Sequence, residues 1–288
     1  MVKVLKSTPN LIGVEKVVGD ELGAAVNPPP ALRKSDRIAA ADLVLDADAK
    51  VRRGLLSLET DQGEVRLSLA AKLALLYLQK EGMTLQEIDP DRRDYRLGKA
   101  VFVPFKSNDG SYVGADERGY QIILNYRGKP KNFYTVSMPE VLAGKLPPNW
   151  GRDRIILIGT TAASLNDFVF TPYDSTLTVF PERTPGIVFH ANLVSQIISG
   201  ALDGRAQIQV WSEPLELVWI GVWSLVGAIL AWTLRSRQLF HRRISPQGTF
   251  GSIFLASSGL VLGAYVAFCQ GYWIPLVTQV ASYIKRYW

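Results

Sequence analysis

Two stretches of the chain run on almost without a polar break. Pro214 to Leu234 reads PLELVWIGVWSLVGAILAWTL with Glu216 as its sole ionisable residue, and Phe250 to Gln270 reads FGSIFLASSGLVLGAYVAFCQ with none. Each is 21 residues long, and about 20 helical residues cross a hydrocarbon core of roughly 30 Å. They predict transmembrane helices over 214–234 and 250–270. A third apolar run, Trp273 to Tyr283, has 11 residues before Lys285 and Arg286. That is about half a crossing, so 273–288 reads as a third membrane helix cut short.

Upstream the pattern changes to short runs separated by turn residues. Leu11 to Val18 predicts a strand, and Pro28-Pro29-Pro30 lies in the loop after it. Ala41–Leu45 and Val51–Leu58 are β-prone and flank Asp46-Ala47-Asp48-Ala49-Lys50, which predicts a hairpin. Val65 to Glu81 is apolar round most of a helix, with Ser68, Lys72 and Gln79 as its polar positions. Lys99–Phe105 and Tyr120–Tyr126 predict further strands, and Ser137 caps a short helix through Leu142 that Gly144 ends. Arg154 to Ile158 (RIILI) is an unbroken apolar run, the signature of a strand buried on both faces. Pro185-Gly186 opens a helix to Ser199. The fold class is therefore an α/β mixed-sheet domain over residues 1–213, followed by transmembrane α-helices.

Charge sharpens this picture. Of 32 basic and 26 acidic residues, 26 and 25 lie before Pro214, so nearly all of the net +6 sits among the apolar segments. Basic residues in that setting suit lipid headgroups, and the composition excludes a nucleic-acid binder. Six of the seven tryptophans lie from Trp211 onward, as an interfacial belt requires. Arg235, Arg237, His241, Arg242 and Arg243 fall within residues 235–249, which the positive-inside rule makes a cytoplasmic loop. Residues 1–213 are then periplasmic or extracellular, although no signal peptide is visible at the N-terminus. Cys269 is the single cysteine and His190 and His241 the two histidines. They leave no intrachain disulfide, and neither a metal site nor a cofactor is expected.

Ligands of α/β sheets gather beyond the carboxyl ends of strands. Thr160, Thr161 and Asp167, after the RIILI run, are the candidate ligand-binding residues; the alternative is that they brace a long loop. Asp46 and Asp48 have part of the spacing of a calcium loop but lack its glycine and closing glutamate, so a plain turn is expected. His190 shares a helical stripe with Ile187, Ala191, Val194, Ile197, Ile198 and Ala201, which predicts a buried imidazole with a local hydrogen bond. Asn192, Gln196 and Ser199 share another face. Gly259 and Gly263 form a GxxxG, with Ala267 at the same spacing, that fits close helix packing within the bundle or across a dimer.

Several of these segments together resemble a known family, the CHASE sensor domain of the second type. The resemblance rests on Ala41-Asp42-Leu43-Val44-Leu45-Asp46 with Val51-Arg52-Arg53-Gly54, and on Ile155-Ile156-Leu157-Ile158-Gly159 with Thr161-Ala162. It also rests on Asp167, Thr171-Pro172, Pro185-Gly186-Ile187-Val188 and His190-Ala191-Asn192. It implies a sensor outside the cell, three membrane helices after it and a cytoplasmic output domain. Thr171, Pro172, Pro185, Gly186 and His190 then belong to a structural motif. Ala49 stands where the family usually has glycine. Measured against the family plan, the chain is expected to be shortened at both ends, without the N-terminal anchor or the output domain.

The expected function is the sensory, ligand-binding input module of a bacterial transmembrane receptor, with no catalytic residues and no enzymatic activity. Its expected partners are membrane lipid, an unknown small-molecule or environmental stimulus, and a homodimer mate or separate output protein. Two alternatives stay open: a receptor fragment without function of its own, and an exported hydrolase using Asp167 and His190.

Overall fold

The computed structural model describes residues 2–19, 23–33, 35–165, 167–174, 183–239 and 246–276. It divides into two units, one of Met1–Phe105 with Glu117–Gln207, the other of Lys106–Asp116 with Ile208–Trp288.

In the first unit, helix α1 (Val2–Ser7) precedes β1 (Gly13–Glu15), which pairs in parallel with β2 (Ile38–Ala40). The strand expected over Leu11–Val18 thus keeps its centre, and Lys16 adds a single antiparallel bridge to Val26. Next come β3 (Arg53–Glu59), β4 (Val65–Leu67) and α2 (Leu69–Lys80). The helix expected from Val65 starts later. Residues 65–67 pair antiparallel with β3, and the Ser68 hydroxyl caps α2 by accepting from the Ala71 amide at 3.2 Å. A hairpin-linked sheet of β5 (Gln86–Asp89), β6 (Asp94–Leu97) and β7 (Ala100–Phe102) follows. Strand β8 (Tyr120–Ile123) pairs with the other edge of β3, giving the order β4-β3-β8. Helix α3 (Met138–Leu142) has the capping box of Ser137 and Glu140, and Gly144 behind it takes φ +64°. Strands β9 (Phe168–Val169) and β10 (Thr184–Pro185) pair antiparallel and lead into α4 (Gly186–Asp203), which Gly204 ends in the left-handed conformation.

The core of this unit lies where α2 and α4 meet the β3–β8 pair. It contains Val51, Ala70, Ala74, Leu78, Ile122, Leu124, Phe189, Leu193 and Ile197. Gly54 lets β3 approach α4: a Cβ there would stand 2.7 Å from Leu193 Cδ1. The RIILI run departs from expectation. It forms no strand, and Ile156 and Ile158 are 48% and 90% exposed. A strand buried on both faces needs a ladder along both edges, and no described strand flanks residues 154–158.

In the second unit, β11 (Gln209–Val210) leads to α5 (Glu213–Leu239), then α6 (Pro246–Cys269) and β12 (Tyr272–Trp273). The parallel pairing of β11 with β12 ties the start of α5 to the end of α6. Helix α5 continues past the expected boundary at Leu234, and α6 begins before Phe250, so the interval expected as a basic loop over 235–249 narrows from both sides. Arg, Gln and Leu propagate helix well, and proline suits a first helical position. Most of the run expected as a third helix, 273–288, lies outside the described residues; Trp273 itself is in β12.

Gly259 and Gly263 of α6 face tryptophans of α5. A Cβ at Gly259 would lie 3.4 Å from Trp223 Cη2, and one at Gly263 3.2 Å from Trp219 Cη2. The small residues therefore seat indole rings instead of a bare backbone. Trp211, Trp219 and Trp223 stack edge to face in turn, with centroids 5.8 and 5.5 Å apart.

Candidate functional site

Helix α4 organises most of the residues singled out in the sequence. At its first turn the Gly186 amide donates to the Asp167 backbone oxygen at 3.0 Å. The Asp167 carboxylate lies against Gly186, where any Cβ would collide with it, and burial raises its pKa. Gly159 meets the same turn: a Cβ there would stand 2.9 Å from Ile187. Gly159 and Asp167, the two ends of one loop, therefore both lie against the start of α4. Within that loop Thr160 Oγ1 accepts from the Ala162 amide at 3.2 Å, and Thr161 is exposed. The structure brings this loop to the helix, but among the described residues neither threonine hydroxyl bonds to Asp167. The buried strand that was to present them is also missing.

His190, one turn further along, is 7% exposed and stacks edge to face on Phe189 with centroids 5.3 Å apart. It is buried as expected, but the expected hydrogen bond is not found among the described residues, where Nδ1 has no partner. Helix backbone carbonyls are already used, and the neighbours of His190 on its stripe are apolar. Burial pushes its pKa down to about 4, so the ring is neutral. It forms no acid–base pair with Asp167.

The second face of α4, with Asn192, Gln196 and Ser199, is buried as well. Its amides serve as ladder partners for the chain beyond β8. Asn192 Oδ1 accepts from the Arg127 and Gly128 amides at 2.8 and 3.1 Å, while its Nδ2 donates to Gly128 O at 3.1 Å. Gln196 Oε1 accepts from the Asn125 amide at 2.8 Å and its Nε2 donates to Ile123 O at 3.1 Å. Two side chains one helical turn apart thus pair backbone groups of Ile123, Asn125, Arg127 and Gly128 in place of a further strand.

A third cluster joins the hairpin turn to the Thr171-Pro172 segment. The turn closes through Asp46 N to Lys50 O at 2.9 Å, with Ala49 at φ +60°. Asp46 pairs with Arg52 at 2.8 Å and with buried Arg53 at 3.0 Å, and Asp48 pairs with Arg52 at 2.6 Å. The guanidinium of Arg52 holds the Asp48 carboxyl down at about 2. These aspartates are engaged by arginines as parts of a turn, with no cation-loop geometry. Val51 N donates to Phe170 O at 2.8 Å, so Thr171 follows directly on the hairpin. Buried Asp174 then accepts from the Thr171 amide at 2.6 Å and from Thr184 Oγ1 at 3.2 Å. Asp174 is not among the residues singled out above, although an acid three residues after a threonine is a known turn brace. Tyr126 donates to Val51 O at 2.8 Å, and its pKa is raised by burial, then by the nearby charges of Asp174 and Asp46. The motif segments around 46–54, 170–174 and 184–192 are thus spent mainly on bracing one another.

A family model described as the CHASE2 domain matches residues 1–229. The chain belongs to the CHASE2 family. CHASE2 is a sensor domain of signalling proteins. No curated protein and no solved structure gives a significant match. The CHASE2 match also runs through the first 17 residues of α5. Both α5 and α6 are long and apolar enough to cross a membrane, over Glu213–Thr233 and Gly251–Cys269, and almost none of either span is buried within the protein.

Proposed function

We propose that the chain is the input module of a bacterial transmembrane signalling receptor. In this reading the unit built on α2, α4 and the β3–β8 pair faces the periplasm or exterior and takes up a stimulus. Helices α5 and α6 cross the inner membrane, and a change of state in the sensor passes into them. The carrying observation is that the CHASE2 match continues from the sensor into α5, so sensor and first apolar helix form one family unit. Two further features support membrane insertion. Apolar side chains such as Leu217, Leu225, Trp232, Phe254 and Leu255 point outward, where lipid suits them and water does not. Arg235, Arg237, Arg242 and Arg243 fall in the sequence between the two apolar spans. Lipid is then an obligate partner, and a second copy or separate output protein receives the signal.

Reporter fusions at Gly63, Gln238 and Trp288 in a bacterial inner membrane test the reading. The Gly63 fusion is expected to report outside and the Gln238 fusion inside. A Gly63 fusion that reports from the cytoplasm overturns it.

A further inference from the structure

Two arginines of the sensor unit lie together without an acid. Arg127 follows β8, and its Nε donates to Ser195 Oγ on α4 at 2.6 Å. Arg205 follows the end of α4, and its Nη2 donates to Asn125 Oδ1 at 3.0 Å and to Tyr126 O at 2.9 Å. The Arg127 guanidinium is thus anchored on α4, and that of Arg205 on Asn125 and Tyr126, the two residues that precede Arg127. Neither has a carboxylate partner among the described residues. Arg205 Nη1 is shielded from water yet has no hydrogen-bond partner. An unpaired, desolvated guanidinium hydrogen is costly, and here the cost is raised by a second cation. Burial, then the charge of Arg127, lowers the Arg205 pKa, while Tyr173 beside it acts in the opposite sense. Tyr173 packs edge to face on Tyr126 with centroids 6.1 Å apart and gives the place an aromatic wall.

We propose that Arg127 and Arg205 together bind a small oxyanion, a carboxylate or a phosphate, which bridges the two guanidinium groups. The anion supplies the acceptor that Arg205 Nη1 lacks and cancels the repulsion between the two cations. Arg127 is exposed and held through Nε alone, so its free Nη groups swing to admit the ligand. The site rests on the reading of the chain as a sensor and names the class of stimulus. It also explains how occupancy is passed on, because Arg205 lies in the segment that connects α4 to α5. An anion that draws Arg205 toward Arg127 pulls on that segment directly. The site is distinct from the Thr160–Asp167 loop, which lies at the opposite end of α4.

The test uses the full chain in lipid nanodiscs, titrated with succinate or inorganic phosphate against chloride at matched ionic strength. A saturable rise in unfolding temperature is expected with one of the two. A succinate response assigns a carboxylate ligand, and a phosphate response assigns a phosphate. Arg127→Gln is the informative variant, because Arg205 also holds Asn125 and Tyr126 in place. It is expected to fold and to weaken anion affinity by about tenfold or more, the loss of one charge-assisted hydrogen bond, with partial recovery in Arg127→Lys. No saturable response to either anion overturns the proposal, as does undiminished affinity in Arg127→Gln or a loss confined to Asp167→Asn. A silent titration with Gly63 reporting outside removes the anion site and leaves the sensor reading standing. Anion binding with Gly63 reporting inside keeps the site and removes the receptor.

Discussion

Single residues in this protein carry costs that can be measured. Ala49 holds φ +60° in the turn between Val44 and Arg53, a conformation that crowds a Cβ and that glycine adopts freely. Ala49→Gly is therefore expected to stabilise the sensor unit by about 1 kcal/mol, read as a rise in the denaturation midpoint. A fall in the midpoint would show that the turn is relaxed with alanine. His190 has a larger, pH-dependent effect. Its ring is buried and neutral, with a pKa near 4 against 6.5 for a free histidine. Between these values the unfolded chain binds a proton that the native one does not, so stability falls as the pH drops from 6.5 towards 4. The full loss is roughly 3 kcal/mol, and it levels off below the native pKa. His190→Leu removes this slope while keeping an apolar side chain against Phe189. Equal slopes in wild type and variant, from unfolding curves at pH 5 and pH 7, would sink the argument.

At the level of elements, α4 holds the sensor together by replacing a strand. Its two amides pair backbone groups of Ile123, Asn125, Arg127 and Gly128, so Asn192→Leu leaves the Arg127 and Gly128 amides without their acceptor. A cost of about 2–4 kcal/mol is expected in chemical denaturation, and an unchanged midpoint would mean that water takes over both bonds. This role also marks how far the sequence could be read. The apolar stripe of α4, its start at Gly186 and the burial of His190 follow from periodicity, and the capped helix after Ser137 from its turn residues. Of the hairpin expected around Asp46, the turn forms but Ala41–Leu45 contributes only the single Val44–Arg53 bridge. Burial of Asn192 and Gln196 does not follow from periodicity, because a polar residue on a helix face signals solvent unless its partner is known. That partner is a backbone segment far away in the chain. The RIILI run misled for a related reason: five apolar residues record what a strand with two neighbours needs, and pairing is settled elsewhere. Thr160 and Asp167 were legible as one loop, whereas Arg127 and Arg205 meet only through the contact of β8 with α4, which no local pattern encodes.

Across the whole molecule, the chain passes from one unit to the other more than once. Lys106–Asp116 belongs with the apolar helices although sensor residues flank it on both sides. Gly110 packs flat on the Trp273 indole, where a Cβ would stand 3.2 Å from Cε3, and Tyr112 meets the same ring edge to face at 5.4 Å. Trp273 is also the last residue of the β11–β12 ladder that ties the start of α5 to the end of α6. The segment from Gln207 to Ile208 is therefore one of three covalent crossings, and cutting it removes a single tether. A protease site inserted there should be cleaved in native membranes without freeing the N-terminal fragment, because that fragment keeps residues 106–116 on Trp273. Tyr112→Ala removes the edge contact and is expected to shift part of the cleaved fragment into the soluble fraction. Complete release of the wild-type fragment on cleavage, measured by sedimentation, would show that the connection after α4 alone holds the sensor. Retention in the wild type with release in Tyr112→Ala would establish loop 106–116 as a second mechanical link, parallel to the segment that carries Arg205.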